Sequence, residues 1–302
     1  DMAPALPHPL PTVAAELARV SEELEHGRGI VLLRGLPVAR YPEDQIRALY
    51  WGLGTHLGTA RFQNARGELI GEVRDEMRLY GSVQEPALMA VEPDRPRTSR
   101  SKARSSGPLR FHTDRADVVA LLCVRPARAG GLSKVASSVA VHNEILARRP
   151  DLHALLCQDY HRNREGEEAG GELRPYAMPV FAVCDGRFTS HYSRTFVEAA
   201  QRLPEVPRLS RAQDEALDLL AEVAEELSVE MALEPGDIQL LNNHVIYHSR
   251  TAYDDDPAPG RDRLLLRLWL SVPNSRPLPE GFEVLWGATV AGALRGGIQQ
   301  AH

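Results

Sequence analysis

Five short apolar runs, each closed by turn-forming residues, constrain the fold of this chain most. They are Ile30-Val31-Leu32-Leu33, residues 118–124, residues 133–139, Ile238-Gln239-Leu240-Leu241 and residues 264–272. Gly35-Leu36-Pro37 follows the first, Ala129-Gly130-Gly131 precedes the third, and Pro235-Gly236-Asp237 leads into the fourth. Runs of this length, rich in β-branched residues and bounded by Gly and Pro, read as strands. No regular strand–helix alternation accompanies them, and no G-x-G-x-x-G follows any of them, which disfavours a doubly wound fold. The pattern predicts a mainly β chain, an antiparallel sandwich or jelly roll, decorated by inserted helices.

The helices are few. Residues 12–26 place Val13, Leu17, Val20 and Leu24 at helical spacing, ended by Gly27-Arg28-Gly29. Residues 43–54 open on two acids, Glu43 and Asp44, as a first turn favours. One helix or two are expected over 139–157, ending near Tyr160, and the longest pattern covers 210–229 with Ser210 as N-cap. Residues 84–108 are rich in Pro, Arg, Ser and Gly, and residues 161–175 are charged and glycine-rich. Both are expected as loops beside a site, because long loops in a compact domain tend to be lids or binding loops.

Composition narrows the class. The chain has 302 residues, 43% hydrophobic and 25% charged, enough apolar content for a real core, and it is expected to form one domain over residues 1–302. A net charge of -6 argues against a general nucleic-acid binder. No apolar run is long enough to span a bilayer, and the first residues lack the basic and apolar regions of a signal peptide, so a cytoplasmic location is expected. Cys123, Cys157 and Cys184 make an odd set with no C-x-x-C pair, which implies neither a disulfide framework nor a zinc ribbon. Homo-oligomerisation is left open.

One constellation carries chemistry. In His112-Thr113-Asp114 the imidazole and carboxylate are two residues apart, so on an extended strand they face one side. A distant second imidazole would complete a 2-His-1-carboxylate set, which holds non-haem Fe(II) and leaves positions open. Alone, an H-x-D triplet is more often a surface or hydrogen-bonded pair. Downstream, His244 and His248 have the same strand parity, and spacing cannot choose between them. The Val-Ile-Tyr between them is β-prone, and no Glu follows His244 to make a helical zinc motif.

With these residues in place, the chain resembles the taurine dioxygenase / 2,4-D dioxygenase (TauD/TfdA) family of Fe(II)/2-oxoglutarate-dependent oxygenases, of the clavaminate-synthase-like superfamily. The resemblance runs from Gly29-Ile30-Val31-Leu32-Leu33-Arg34-Gly35 through Phe111-His112-Thr113-Asp114, Gly130-Gly131-Leu132-Ser133 and Pro235-Gly236-Asp237 to His248-Ser249-Arg250-Thr251-Ala252-Tyr253 and Arg263-Leu264-Leu265-Leu266-Arg267. It implies a double-stranded β-helix, a cupin-like jelly roll. It selects His248 over His244, by the H-S-R-T-A-Y setting, as the partner of His112 and Asp114 in holding iron. Arg263 matches the arginine that pairs with the distal carboxylate of 2-oxoglutarate, a task suited to a planar guanidinium. Ser133 stands where the family usually has Thr and keeps the hydroxyl.

The implied reaction consumes 2-oxoglutarate and O₂, releases succinate and CO₂, and oxidises an unactivated C–H bond, most simply by hydroxylation. Related halogenases lack the carboxylate that Asp114 supplies, so halogenation is disfavoured. Desaturation, epoxidation and cyclisation share the same ligands, as does a cupin-type metal enzyme without 2-oxoglutarate using His112, His244 and His248, although that enzyme would have no need of Arg263 and Ser133. The expected substrate is a small, anionic or amino-acid-like molecule in natural-product biosynthesis, free or carrier-bound. Its candidate contacts are Arg267, Asn64, Gln63 and Tyr80. Turn chemistry before Gly67 explains Gln63 and Asn64 as readily, a core position explains Tyr80 as readily, and an internal salt bridge is the lesser alternative for Arg267. The cluster His191-Tyr192-Ser193-Arg194 is expected to pack rather than to line the site, and His142, His153 and His161 to be surface or capping residues.

Overall fold

The computed structural model describes residues 9–64, 66–76, 104–163, 175–256, 258 and 260–298. Tyr80 and most of the two expected loops, residues 84–103 and 164–174, lie outside the described residues. The first half of the chain forms α1 (Ala14–His26), β1 (Ile30–Leu33), α2 (Glu43–Thr55), β2 (Thr59–Ala60), β3 (Ile70–Val73), β4 (Leu109–His112), β5 (Val118–Arg125), β6 (Ala129–Gly130) and β7 (Ser133–Ser137). Next come α3 (Ser138–Arg148), α4 (Pro150–Leu156), β8 (Tyr160–Arg162), β9 (Tyr176–Met178), β10 (Phe181–Cys184), β11 (Arg187–Ser190) and α5 (Arg194–Ala200). The chain continues through α6 (Arg211–Glu226), β12 (Val229–Met231), β13 (Ile238–Asn242), β14 (Ile246–Arg250), β15 (Tyr253–Asp254), β16 (Leu264–Ser271) and α7 (Glu283–Trp286).

The strands pair antiparallel throughout. The larger sheet has six strands in the order β1-β13-β5-β16-β2, with β3 also on β16; the smaller has four in the order β12-β7-β14-β4. Side-chain alternation builds a layer on each face. Val118, Ala120, Leu122, Leu240, Leu266 and Leu268 point outward onto Leu17, Val20 and Leu24 of α1 and Ile46 and Tyr50 of α2. Their neighbours Val119, Leu241 and Trp269 point inward and meet Val135 and Ile246 of the smaller sheet. The outer face of that sheet, Phe111, Ala136 and Tyr247, is covered by Val141, Ile145, Leu152, Val197, Leu217 and Leu220 from α3 to α6. Both faces of the larger sheet are buried, which is why its central strands read as continuous apolar runs instead of alternating ones. Among the described residues no helix is long and apolar enough to cross a membrane.

Three boundaries differ most from expectation. The helix expected over 210–229 ends at Glu226, and Val229–Met231 pairs with β7 as a strand. The strand expected over 133–139 stops at Ser137, whose hydroxyl accepts from Ala140 N and starts α3. Residues 161 and 162, expected as loop, are strand instead, because Tyr160–Arg162 pairs with Tyr176–Met178 as a hairpin. The guanidinium of Arg162, fully buried, donates to the carbonyls of Tyr160 and His191 and ties this hairpin to the segment leading into α5.

Candidate active site

The site lies between the two sheets. In β14, Tyr247 faces the helices and His248 faces inward, and His248 stands directly opposite His112 of β4. Two residues later the register shifts, so that Arg250 opposes Leu109. This bulge gives β4 an extra residue and turns both Leu109 and His112 toward the same cavity, as bulges beside active sites commonly do. The two imidazole centroids are 4.2 Å apart.

Asp114 follows the end of β4 but stays on the side of His112. Its segment is held extended by Thr113 N donating to Tyr192 O (2.9 Å) and by a bridge between His112 and Ser193. Thr113 turns away and its hydroxyl meets His191 Nδ1 at 3.0 Å. Asn243 Oδ1 accepts from the Asp114 amide at 3.1 Å, while Asn243 Nδ2 donates to Ala116 O. Asp114 Oδ1 lies 3.6 Å from His112 Nε2, and Oδ2 lies 3.8 Å from His248 Nε2. One donor atom from each of the three residues falls within 4.8 Å of the others, and all three side chains are buried.

The electrostatics suit a cation. His112 Nδ1 sits 2.9 Å from Arg110 O, so a proton there leaves Nε2 as the free lone pair, the usual support for a metal-binding histidine. Burial pushes the His248 imidazole down to about 3, with His112 and Arg267 adding and Asp114 opposing, so the ring is neutral near pH 7. Burial would raise the Asp114 carboxyl, but Arg267 and the two imidazoles hold it well below the usual carboxylate range. A neutral His248 imidazole and an ionised Asp114 carboxylate are protonation states a metal needs.

His244 is placed elsewhere. It is fully buried, its Nε2 is 2.9 Å from Asp117 Oδ1, its Nδ1 is 2.9 Å from Thr189 Oγ1, and its ring stacks on Trp286. Arg295 Nε also donates to Asp117, at 2.7 Å. This is a structural network.

Beside His112 and His248 the cavity is lined by Arg250, Arg263, Arg267 and Ser133 over a floor of Leu109, Leu121, Leu233 and Leu265. Gly130 and Gly131 make room for it. Both have φ near +70°, a Cβ on Gly130 would stand 2.3 Å from Ala252 O, and one on Gly131 would press on Arg263 Nε at 3.3 Å. Ser133 Oγ donates to Gln239 Oε1, and the guanidinium of Arg263 lies 5.0 Å from the Tyr253 ring centroid. Arg250 donates to the carbonyl of Ser105 and packs against the same ring, 4.8 Å from its centroid.

The remaining candidates separate. Arg267 Nε donates to Gln63 Oε1 (2.7 Å), and its NH1 lies 3.4 Å from Asp114 Oδ2. Gln63 in turn donates to the carbonyls of Leu69 and Arg267, so it fixes that arginine and does not line the cavity. Asn64 accepts from Arg66 N and Glu68 N, the turn chemistry its sequence context suggested. His191, 3% exposed, packs behind Thr113. His142 and His153 are not simple surface residues: they pack edge to face at 4.4 Å beside Phe181 and Phe188. Trp269, which the sequence offers only as one more apolar strand residue, donates its indole N–H to Asp114 Oδ2 at 2.7 Å.

The taurine catabolism dioxygenase TauD, TfdA family matches residues 4–269. This chain belongs to that family. It is a non-haem Fe(II)/2-oxoglutarate-dependent dioxygenase by that membership. FR-33289 synthase from Streptomyces rubellomurinus is 33% identical over 294 residues, covering 94% of this chain and 81% of that one. Uridine-5'-phosphate dioxygenase from a Streptomyces species is 29% identical over 150 residues, 49% of this chain and 53% of that one. Asparagine oxygenase, solved with Fe(II), 3-hydroxyasparagine and succinate, shares the fold with a TM-score of 0.63 at 19% identity, over 86% of this chain and 79% of that one. Family membership thus agrees with the layered antiparallel sheets and with the cluster at their centre.

Proposed function

We propose that residues 1–302 form one jelly-roll domain, a double-stranded β-helix, that hydroxylates a small anionic or amino-acid-like molecule in natural-product biosynthesis. His112, Asp114 and His248 hold Fe(II); Arg263 and Ser133 bind the distal carboxylate of 2-oxoglutarate. The observation that carries this reading is the cross-strand pair His112 and His248, closed by Asp114, at one end of a cavity that holds a buried arginine and a leucine floor. The donor set fits the metal: two imidazoles and one carboxylate, buried and convergent, leave the remaining positions to co-substrates.

When bound, Fe(II) with 2-oxoglutarate and O₂ supplies the oxidation of the substrate C–H bond, with succinate and CO₂ as co-products. The protein's own groups do the rest. Arg263, held beside the Tyr253 ring, and the Ser133 hydroxyl orient a dicarboxylate along the apolar floor, which accommodates its methylene groups. The leucines keep the site poor in water, which strengthens each of these charge contacts. Arg267 has Nε on Gln63 and NH1 on Asp114, and we assign its other N–H groups to an anion on the substrate. That the relatives include an enzyme named for uridine-5'-phosphate, and a fold neighbour that holds hydroxyasparagine, supports a charged small molecule.

The test is a panel of amino acids, sulfonates, phosphate monoesters and carrier-bound acids, scored by succinate released in step with oxidised product. An anionic substrate whose KM rises tenfold or more in Arg267→Leu is the expected result. A neutral best substrate, turned over equally by Arg267→Leu, would remove the anion assignment.

A further inference from the structure

We infer that Trp269 is a positioning residue for the metal centre: its indole N–H holds Oδ2 of Asp114, so that the carboxylate presents Oδ1 to iron. The inference rests on the assignment of His112, Asp114 and His248 to Fe(II).

Trp269 lies on β16, opposite Val119 of β5, and is 4% exposed. Strand alternation puts it on the inner face together with Arg267, two residues earlier. Both reach the same oxygen. The indole Nε1 donates to Asp114 Oδ2 at 2.7 Å, and Arg267 NH1 approaches that atom at 3.4 Å. The guanidinium also lies 4.9 Å from the Trp269 ring centroid, so the two donors brace each other. Asp114 Oδ1 lies 3.6 Å from His112 Nε2 and Oδ2 lies 3.8 Å from His248 Nε2, and both the indole and the guanidinium are on Oδ2.

A carboxylate can bind a metal through one oxygen or through both. Here two donors from a rigid central strand are committed to Oδ2. Two-oxygen binding would ask Oδ2 to serve the metal as well as these two donors and would weaken its bond to the buried indole N–H. The arrangement therefore favours one-oxygen ligation and keeps a coordination position open for the co-substrates. Outer groups that orient a ligand in this way typically carry 10–100-fold in metal affinity.

Trp269→Phe keeps the ring and removes the N–H. Apo-protein of the parent and of the variant would be titrated anaerobically with Fe(II), and with Co(II) read by its visible absorption spectrum. We expect about tenfold weaker Fe(II) binding in the variant and a changed Co(II) spectrum. If the parent itself fails to bind Fe(II), the metal assignment fails. If the parent binds and Trp269→Phe binds as tightly with an unchanged Co(II) spectrum, the role of Trp269 is overturned while the metal assignment stands. Should the variant not fold, the native chain serves. Its three tryptophans give resolvable indole signals in ¹H–¹⁵N spectra, assigned through Trp51→Phe and Trp286→Phe. The Trp269 signal is expected to shift on adding diamagnetic Zn(II), and a signal unmoved by saturating Zn(II) would overturn the inference.

Discussion

Two histidines four residues apart, His244 and His248, face different fates because of what surrounds each ring. His248 has Nε2 beside Asp114 and inside the cavity, whereas His244 has both ring nitrogens within 2.9 Å of Asp117 and Thr189. Spacing is silent on this, since both positions share strand parity; the difference is made by the turn at residues 243–245 and by Trp286 stacking on His244. His244→Gln should therefore retain Fe(II) affinity within about twofold while losing about 1–3 kcal/mol of stability, from disturbed pairing of the buried Asp117. Anaerobic Fe(II) titration and urea unfolding of the same sample check both halves. Loss of iron binding in a folded His244→Gln protein would contradict the placement. The convergence of His112, Asp114 and His248 was legible because metal chemistry restricts residue types and motif context restricts position. Trp269 was not, because its importance comes from one hydrogen bond to Asp114, and a single indole in sequence does not say which acceptor it will meet. Gln63 reads as a substrate contact, and what the sequence does not show is that its amide accepts from Arg267.

Elements position these residues through ends and irregularities. The bulge in β4 aims Leu109 and His112 together, and nothing in Leu109-Arg110-Phe111-His112 announces it, since a bulge is set by the partner strand's register. The sequence shows Gly130 and Gly131 only as a turn; the structure adds why glycine is needed there, since a Cβ would meet Ala252 O at the first and Arg263 Nε at the second. Helix ends were legible where a cap is written in the sequence. Ser210 accepts from Gln213 N, and Gln213 returns a bond to the Ser210 amide, a reciprocal cap at the start of α6. Where a cap sits inside an apolar context, as at Ser137, the preceding strand was read two residues too far. Ser210→Ala should cost about 1 kcal/mol of unfolding free energy and leave kcat unchanged, because α6 supports the smaller sheet from its outer face. A drop in kcat without loss of stability would place this helix nearer the chemistry than its packing indicates.

At the scale of the molecule, two sheets enclose the site and helices cover both outer faces. Such a core can hold charged and titratable groups only if they are paired or neutral. His244 is pushed from its ordinary 6.5 down to about 4, chiefly by burial, with Arg295 and Arg276 adding and Asp117 opposing. The unfolded chain takes up a proton at this residue as pH falls through 6.5, and the folded chain does so only near 4. The contribution of His244 to stability is therefore complete above 6.5 and is lost as pH falls toward 4, at up to about 1.4 kcal/mol per pH unit. Urea unfolding of metal-free protein across this range should show the decline, and His244→Gln should flatten that part of it. An equal slope in the two proteins would contradict the neutral buried ring.

The mainly antiparallel β character followed from the apolar runs, and the family from the motifs between them. The central claim is that one iron and one 2-oxoglutarate meet between the sheets, on His112, Asp114 and His248 and against Arg263. The most direct measurement is an anaerobic titration of apo-protein with Fe(II) and 2-oxoglutarate, followed by visible absorption. A charge-transfer band that needs both additions, saturates at one equivalent of each, disappears in Asp114→Ala and requires far more 2-oxoglutarate in Arg263→Leu is the predicted result. No band in the parent, or an undiminished band in Asp114→Ala, would contradict the account.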